Sequence, residues 1–280
     1  MQDIRDYPTF VINLDRRKDR WIEFSKQHSL KEFKYLKRFS AVDGSKIDVL
    51  NDKRISYHTR QNIAHKYRRS DYEINTSGAI GASLSHIGCW KKFLDSDSKY
   101  LVVFEDDTVV NDMYLEKIDS LIPKLPSEWD MWLLGTHAWA FKGVPLTKDN
   151  KSWWKVKQFT GAHAYVLSRK GAELLLENPF PIETHIEYYI CACSELNKLK
   201  IIRHPDLRMK YSMELTQSDD SDTFDSFKSC PVCMIPDTFP STGLYMSAQT
   251  LERAMISISA IIIVLYGLNK IKGVFRQIGI

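Results

Sequence analysis

The stretch "YLVVFEDDTVV", residues 100–110, limits the fold more than any other part of the chain. Leu101, Val102, Val103 and Phe104 form a short apolar run of the kind that reads as a buried strand. Glu105, Asp106 and Asp107 follow at once. In open α/β sheets, ligands collect beyond the carboxyl ends of the strands. Three adjacent carboxylates repel one another, and burying them unpaired is costly. A divalent cation relieves both problems. Oxygen-only ligation suits Mg²⁺ or Mn²⁺, which keep several waters and also bind substrate phosphates. The competing reading is a solvated loop or an acidic helix start. A cation held this way fits sugar transfer from a nucleoside diphosphate, and it also fits attack on phosphorus.

The rest of the chain alternates strand and helix patterns. "TFVINL", 9–14, reads as the first strand, with Asp15 placed to cap a helix that carries Trp21 and Phe24. Residues 35–44 read as a second strand ending in a turn at Asp43-Gly44. Ser77-Gly78 opens a helix to about Leu94, with Ile80, Leu84, Ile87 and Trp90 near a 3.6-residue period. Beyond the opening strand, another is expected at Met131–Leu134 and a loop or hairpin over 136–157. A strand over 161–168 follows, then a helix capped by Ser168 and stopped by Pro179. Ile186–Asn197 reads as a helix and Lys200–Arg203 as a short strand. This alternation predicts an α/β fold with a mostly parallel central sheet.

Composition sets the remaining bounds. A net charge of +4 does not call for nucleic acid. Basic residues are dense between Lys46 and Arg69, either as a solvated face or as a holder for an anionic substrate. Cys230-Pro-Val-Cys233 has half the spacing of a zinc ribbon, but no second pair follows. The N-terminus shows no signal peptide pattern. Ala254–Leu268 is uncharged, but shorter than the about 20 residues a spanning helix wants. Lys270 and Lys272 are placed to extend it by snorkelling. The expected organisation is a catalytic domain over 1–223, a linker over 224–252 and a hydrophobic tail helix over 253–280. That tail would attach an otherwise cytoplasmic protein to a membrane, in an orientation left open, with a buried amphipathic helix as the alternative.

Five stretches in order resemble glycosyltransferase family 25, which includes lipooligosaccharide and procollagen galactosyltransferases. They are "FVINLDRRKDRW" (10–21), "FSAVDG" (39–44), "SGAIGASLSHIGCW" (77–90), "YLVVFEDD" (100–107) and "TGAHAYVLSRKGAELLL" (160–176). The resemblance implies a GT-A type fold, a UDP-sugar donor carrying galactose or glucose, and Mn²⁺ (or Mg²⁺). It also implies inverting transfer to a hydroxyl on a glycan, a lipid-linked sugar or a protein.

Carried over by position, the resemblance places Asn13, Leu14 and Arg20 at the nucleotide. Asp43 is placed at the ribose or base, with turn chemistry as its alternative. Ser85 and His86 match the family's Ser-His pair on the donor side. Glu105 and Asp107 take the metal positions, and Asp106 the donor sugar or ribose. Glu187 matches the segment that supplies the base for the acceptor hydroxyl, with Glu183 as its rival. Trp139, Trp153 and Trp154 are candidates for stacking on sugar faces or for covering the core. Ala79 departs from the Glu the family often carries, so a catalytically degenerate, membrane-tethered binding protein is the alternative.

Overall fold

A central strand, β3 (Tyr100–Glu105), is packed on both faces, so its four apolar residues Leu101–Phe104 are fully buried. Each such side chain contributes about 1.5–3 kcal/mol of transfer free energy. The computed structural model describes residues 1–212 apart from 67, 69, 71, 138–140, 147–152 and 197. The elements below belong to one unit, Met1–Tyr67 with Tyr72–Ser226.

β1 (Thr9–Asn13) runs parallel to β3 and to β2 (Leu36–Ser40). On its other side β3 pairs antiparallel with β7 (Ala164–Ser168), which pairs antiparallel with β4 (Met131–Gly135). β8 (Ile201–Arg203) lies parallel to β4. The hairpin of β5 (Phe141–Pro145) and β6 (Trp154–Phe159) closes the sheet through an antiparallel β6–β8 pair. The order is β2-β1-β3-β7-β4-β8-β6-β5.

The α/β class therefore stands, but the mostly parallel sheet does not. β7 enters between two strands that run the other way, and the β5–β6 hairpin adds further antiparallel pairs. Parallel neighbours need a long crossover, whereas a hairpin turns back after a short loop.

Period-two alternation sends the strands' side chains to two separate layers. Phe10, Ile12, Leu101, Val103, Tyr165 and Leu167 face one core. It is covered by α3 (Ser77–Leu94), α5 (Arg169–Leu176) and α6 (Ile186–Glu195). Val11, Val102, Phe104, Trp132 and Val166 face the other, beneath α1 (Lys18–Ser25) and α4 (Asp112–Leu121). α2 (Tyr57–His65) lies in the basic segment.

Local capping follows the sequence at most helix starts. Thr76 Oγ1 accepts from Ala79 N at 3.3 Å, and Ser168 Oγ from Gly171 N at 2.9 Å. Each such cap stabilises by about 1 kcal/mol. The α1 start differs from expectation. Its N-cap residue is Arg17, with no side-chain cap. Asp15 instead pairs with Arg38 at 2.7 Å and accepts from Ser40 Oγ at 2.7 Å, so the strand edge captures its carboxylate.

The expected linker, Cys230 and Cys233, and the tail helix lie outside the described residues. Among the described residues, no helix is long and apolar enough to cross a membrane.

Candidate functional site

The register of β1 against β3 builds the site. Ile12 pairs with Glu105, so the chain beyond Asn13 and the chain beyond Glu105 leave the sheet side by side. Asn13 is buried, and its amide donates to Asp106 Oδ2 at 2.6 Å and to Arg17 O at 3.0 Å. Its Oδ1 accepts from Arg38 Nε at 2.7 Å.

Alternation along β3 continues through Glu105. Leu101 and Val103 face the α3 layer. Glu105 extends that side, and His86 Nε2 of α3 lies 3.2 Å from Glu105 Oε1. Burial pushes the Glu105 carboxyl up, but the His86 hydrogen bond and nearby positive charge leave it below the ordinary carboxylate value.

Asp106 and Asp107 are met from the opposite layer. Arg20 of α1 places Nη2 at 2.7 Å from Asp106 Oδ1 and 3.0 Å from Asp107 Oδ2. Both aspartates are buried. Burial raises the Asp106 carboxyl despite Arg20 and Asn13, which pull it down. The repulsion among the three acids, which suggested a metal from sequence, is thus partly relieved by two protein groups, Arg20 and His86.

Other expected residues serve the scaffold around this edge. Ser85 is buried, donates to Gly81 O at 2.7 Å and accepts from Val42 N at 2.8 Å. That contact requires α3 to lie against the Val42–Gly44 turn. A Cβ on Gly81 would sit 2.5 Å from Val42 O, and one on Gly44 would sit 2.0 Å from Ser77 O. Asp43 carries the turn chemistry, with Oδ1 accepting from Ser45 N at 3.1 Å and Oδ2 3.3 Å from Arg16 Nε. Leu14 is half-buried, and its carbonyl accepts from Arg17 N at 2.9 Å.

Glu187 stands in the first turn of α6, half-buried. Glu183 is exposed. Trp153 is buried, donates to Lys124 O at 2.6 Å and packs edge-on against Trp132, so it covers the core. Trp154 is half-buried, and Trp139 lies outside the described residues.

The sequence assigned no site role to three residues at this edge. The His163 carbonyl accepts from Glu105 N at 2.8 Å and from Thr108 Oγ1 at 2.7 Å, tying β7 to the acidic loop. Tyr165 and Trp90 lie behind His86, with Trp90 Nε1 and His86 Nδ1 each 2.9 Å from the Tyr165 hydroxyl. The inward phase of "AYVLS" was the available signal for Tyr165. No local pattern shows which side chain it meets.

Among the described residues, no group of three His, Cys, Asp or Glu side chains could hold a metal ion by itself. Glu105 and Asp107 do offer two carboxylates at one edge. Such a donor pair fits a hard cation that takes its other ligands from water and substrate phosphate.

The fold and this edge define an α/β protein with a buried acidic cluster at the carboxyl ends of β1 and β3. The chain belongs to glycosyltransferase family 25 (LPS biosynthesis protein), whose model matches residues 6–190. Human procollagen galactosyltransferase 2 is 27% identical over 183 residues, which cover 61% of this chain and 28% of the relative. Procollagen lysyl hydroxylase and glycosyltransferase of Acanthamoeba polyphaga mimivirus is 28% identical over 205 residues, covering 64% of this chain and 21% of the relative. The Bos taurus protein described as probable inactive glycosyltransferase 25 family member 3 is 30% identical over 111 residues, covering 36% and 18%. The matches thus span about a quarter or less of these curated relatives' length. A solved UDP-glucose pyrophosphorylase complexed with UDP-glucose aligns over 73% of this chain and 92% of that chain, at 11% identity and a TM-score of 0.38.

Proposed function

We propose that this chain transfers a hexose, galactose or glucose, from a UDP-sugar to a hydroxyl on a glycan, a lipid-linked sugar or a protein, inverting the anomeric centre. The observation that carries the reading is the edge itself. Asn13, Arg20, His86 and Glu105–Asp107 are drawn from both helical layers to the carboxyl ends of β1 and β3, within a chain of this family.

In this reading Asn13 holds Asp106 toward the donor, and Arg20 fixes the spacing of Asp106 and Asp107. Glu105 and Asp107 would hold Mn²⁺ or Mg²⁺, which offsets negative charge on a departing diphosphate. Glu187 takes the proton from the acceptor hydroxyl as that oxygen attacks the anomeric carbon. Ser85 holds α3 in place rather than touching the donor. The uncharged stretch 254–268 would tether the protein to a membrane.

The test is product analysis by mass spectrometry with UDP-galactose and UDP-glucose, with and without Mn²⁺. Hexose transfer or UDP release that depends on the cation supports the reading. Release of a sugar phosphate with UMP would instead mark chemistry at phosphorus. A second reading, a degenerate binding protein, is favoured by the relative described as probable inactive and by Ala79. UDP-sugar binding without turnover, unchanged in Asp107→Ala, would establish it.

A further inference from the structure

Behind His86 runs a chain of buried polar groups that the reaction scheme above does not use. Trp90, Tyr165 and His86 are each at most 1% exposed. Trp90 Nε1 lies 2.9 Å from the Tyr165 hydroxyl, which lies 2.9 Å from His86 Nδ1. On the ring's far side, His86 Nε2 lies 3.2 Å from Glu105 Oε1. The His86 and Tyr165 rings lie within 28° of parallel, with centroids 5.8 Å apart, so the imidazole has little freedom to turn.

Elementary donor and acceptor chemistry sets the direction of every bond in this chain. An indole N–H only donates. The Tyr165 oxygen must therefore accept from Trp90. The hydroxyl hydrogen is then left with His86 Nδ1 as its acceptor. Were Nδ1 protonated, the hydroxyl would receive two donors and its own hydrogen would be buried without a partner, at a cost of about 1–3 kcal/mol. Nδ1 is thus the acceptor, and the imidazole proton resides on Nε2, facing Glu105.

We propose that Tyr165, held in place by Trp90, is a positioning residue that fixes His86 as its Nε2–H tautomer and so makes His86 a donor to Glu105. The inference rests on the proposed role of Glu105 for its functional meaning, but the tautomer itself does not. Glu105 is about a third exposed on its side chain, so without this bond its carboxylate would be free to swing. The fixed N–H selects one rotamer of Glu105 at the edge shared with Asp106 and Asp107. Orienting partners one step behind a ligand or catalytic group typically carry about 10- to 100-fold in affinity or activity.

The experiment is nitrogen NMR of the full chain with ¹⁵N-labelled histidine, the His86 signals being assigned by their loss in His86→Gln. The expected wild-type spectrum shows His86 Nδ1 at the unprotonated and Nε2 at the protonated position. Tyr165→Phe should introduce the Nδ1–H tautomer, and Trp90→Phe, which keeps the hydroxyl but removes its donor, should do so in part. A wild-type His86 carrying its proton on Nδ1, or on both nitrogens, overturns the proposal. So does a Tyr165→Phe spectrum identical to wild type. If Tyr165→Phe does not fold, the wild-type spectrum and Trp90→Phe still decide. Because the tautomer is read without turnover, failure of the transferase reading leaves this result standing, and the converse holds.

Discussion

Arg20 Nη2 lies 2.7 Å from Asp106 Oδ1, joining the first helix to the loop beyond the central strand across 86 residues of chain. The same nitrogen lies 3.0 Å from Asp107 Oδ2, so one guanidinium serves two buried carboxylates. The acidic edge is therefore preorganised by the protein before any ligand arrives. The partners come from opposite helical layers, with the Arg20 guanidinium on one side and the His86 imidazole on the other.

Removing Arg20 should expose how much of this edge is structural. Arg20→Ala leaves two buried carboxylates without their cation, a change that typically costs about 3–5 kcal/mol. Urea unfolding of the variant should show a loss of that order. A loss under about 1 kcal/mol, the scale of an exposed pair, would mean that the aspartates are solvated instead.

Glu105 gives a pH dependence of defined sign. Burial raises its pKa, but the His86 hydrogen bond and nearby charge bring it below the ordinary 4.5. A lowered folded-state pKa stabilises the fold when the group is ionised. That contribution is complete above pH 4.5 and is lost as pH falls through the lower folded value. Glu105→Gln should therefore be less stable than wild type near pH 7, with the gap closing as the solution is acidified below 4.5. Urea midpoints measured from pH 3 to 7 would show it. A gap that stays constant over the range would contradict the assignment.

The acceptor-side base can be separated from its neighbour by kinetics. Glu187→Gln keeps the side chain's size while removing its basicity. Loss of a general base lowers kcat by about 100- to 10,000-fold. Glu183→Gln, at an exposed position on the same segment, should stay near wild type. The reverse pattern would move the role to Glu183, and two near-normal variants would remove the base from this segment altogether.

Gly81→Ala tests the seat of α3. The added methyl would lie 2.5 Å from Val42 O and 2.8 Å from Gly44 N, both backbone atoms. Overpacking of this kind costs about 1–3 kcal/mol. The melting temperature should fall, with activity falling alongside because Ser85 and His86 ride on the same helix. An unchanged melting temperature would show that the turn yields easily.

The helix from Ser77 to Leu94 was readable because its Ser77-Gly78 start and the 3.6-residue period of Ile80, Leu84, Ile87 and Trp90 sit in a short window; its Thr76 cap was not read. The strand at 100–105 was readable for the same reason, and its alternation even points Glu105 toward one layer. Asp15 shows where such reading stops. As a cap it made local sense, yet Arg38 and Ser40 on a neighbouring strand hold its carboxylate. Trp153, open by its loop position to stacking on a sugar or covering the core, does the latter against Trp132 and Lys124 O.

By itself, the sequence determined most of the strands and four of the helices, but not those at Tyr57–His65 and Asp112–Leu121, together with the acidic step after β3 and the family motifs, since periodicity, capping and motif spacing are properties of neighbouring residues. Only the tertiary structure decided that β7 runs antiparallel between β3 and β4, that Arg20 and His86 are the groups that meet the carboxylates, and that Trp90 and Tyr165 stand behind His86. Strand direction and ion-pair partners depend on where distant segments pack. A side chain's own neighbourhood in the chain carries no record of the residue that will face it from another layer.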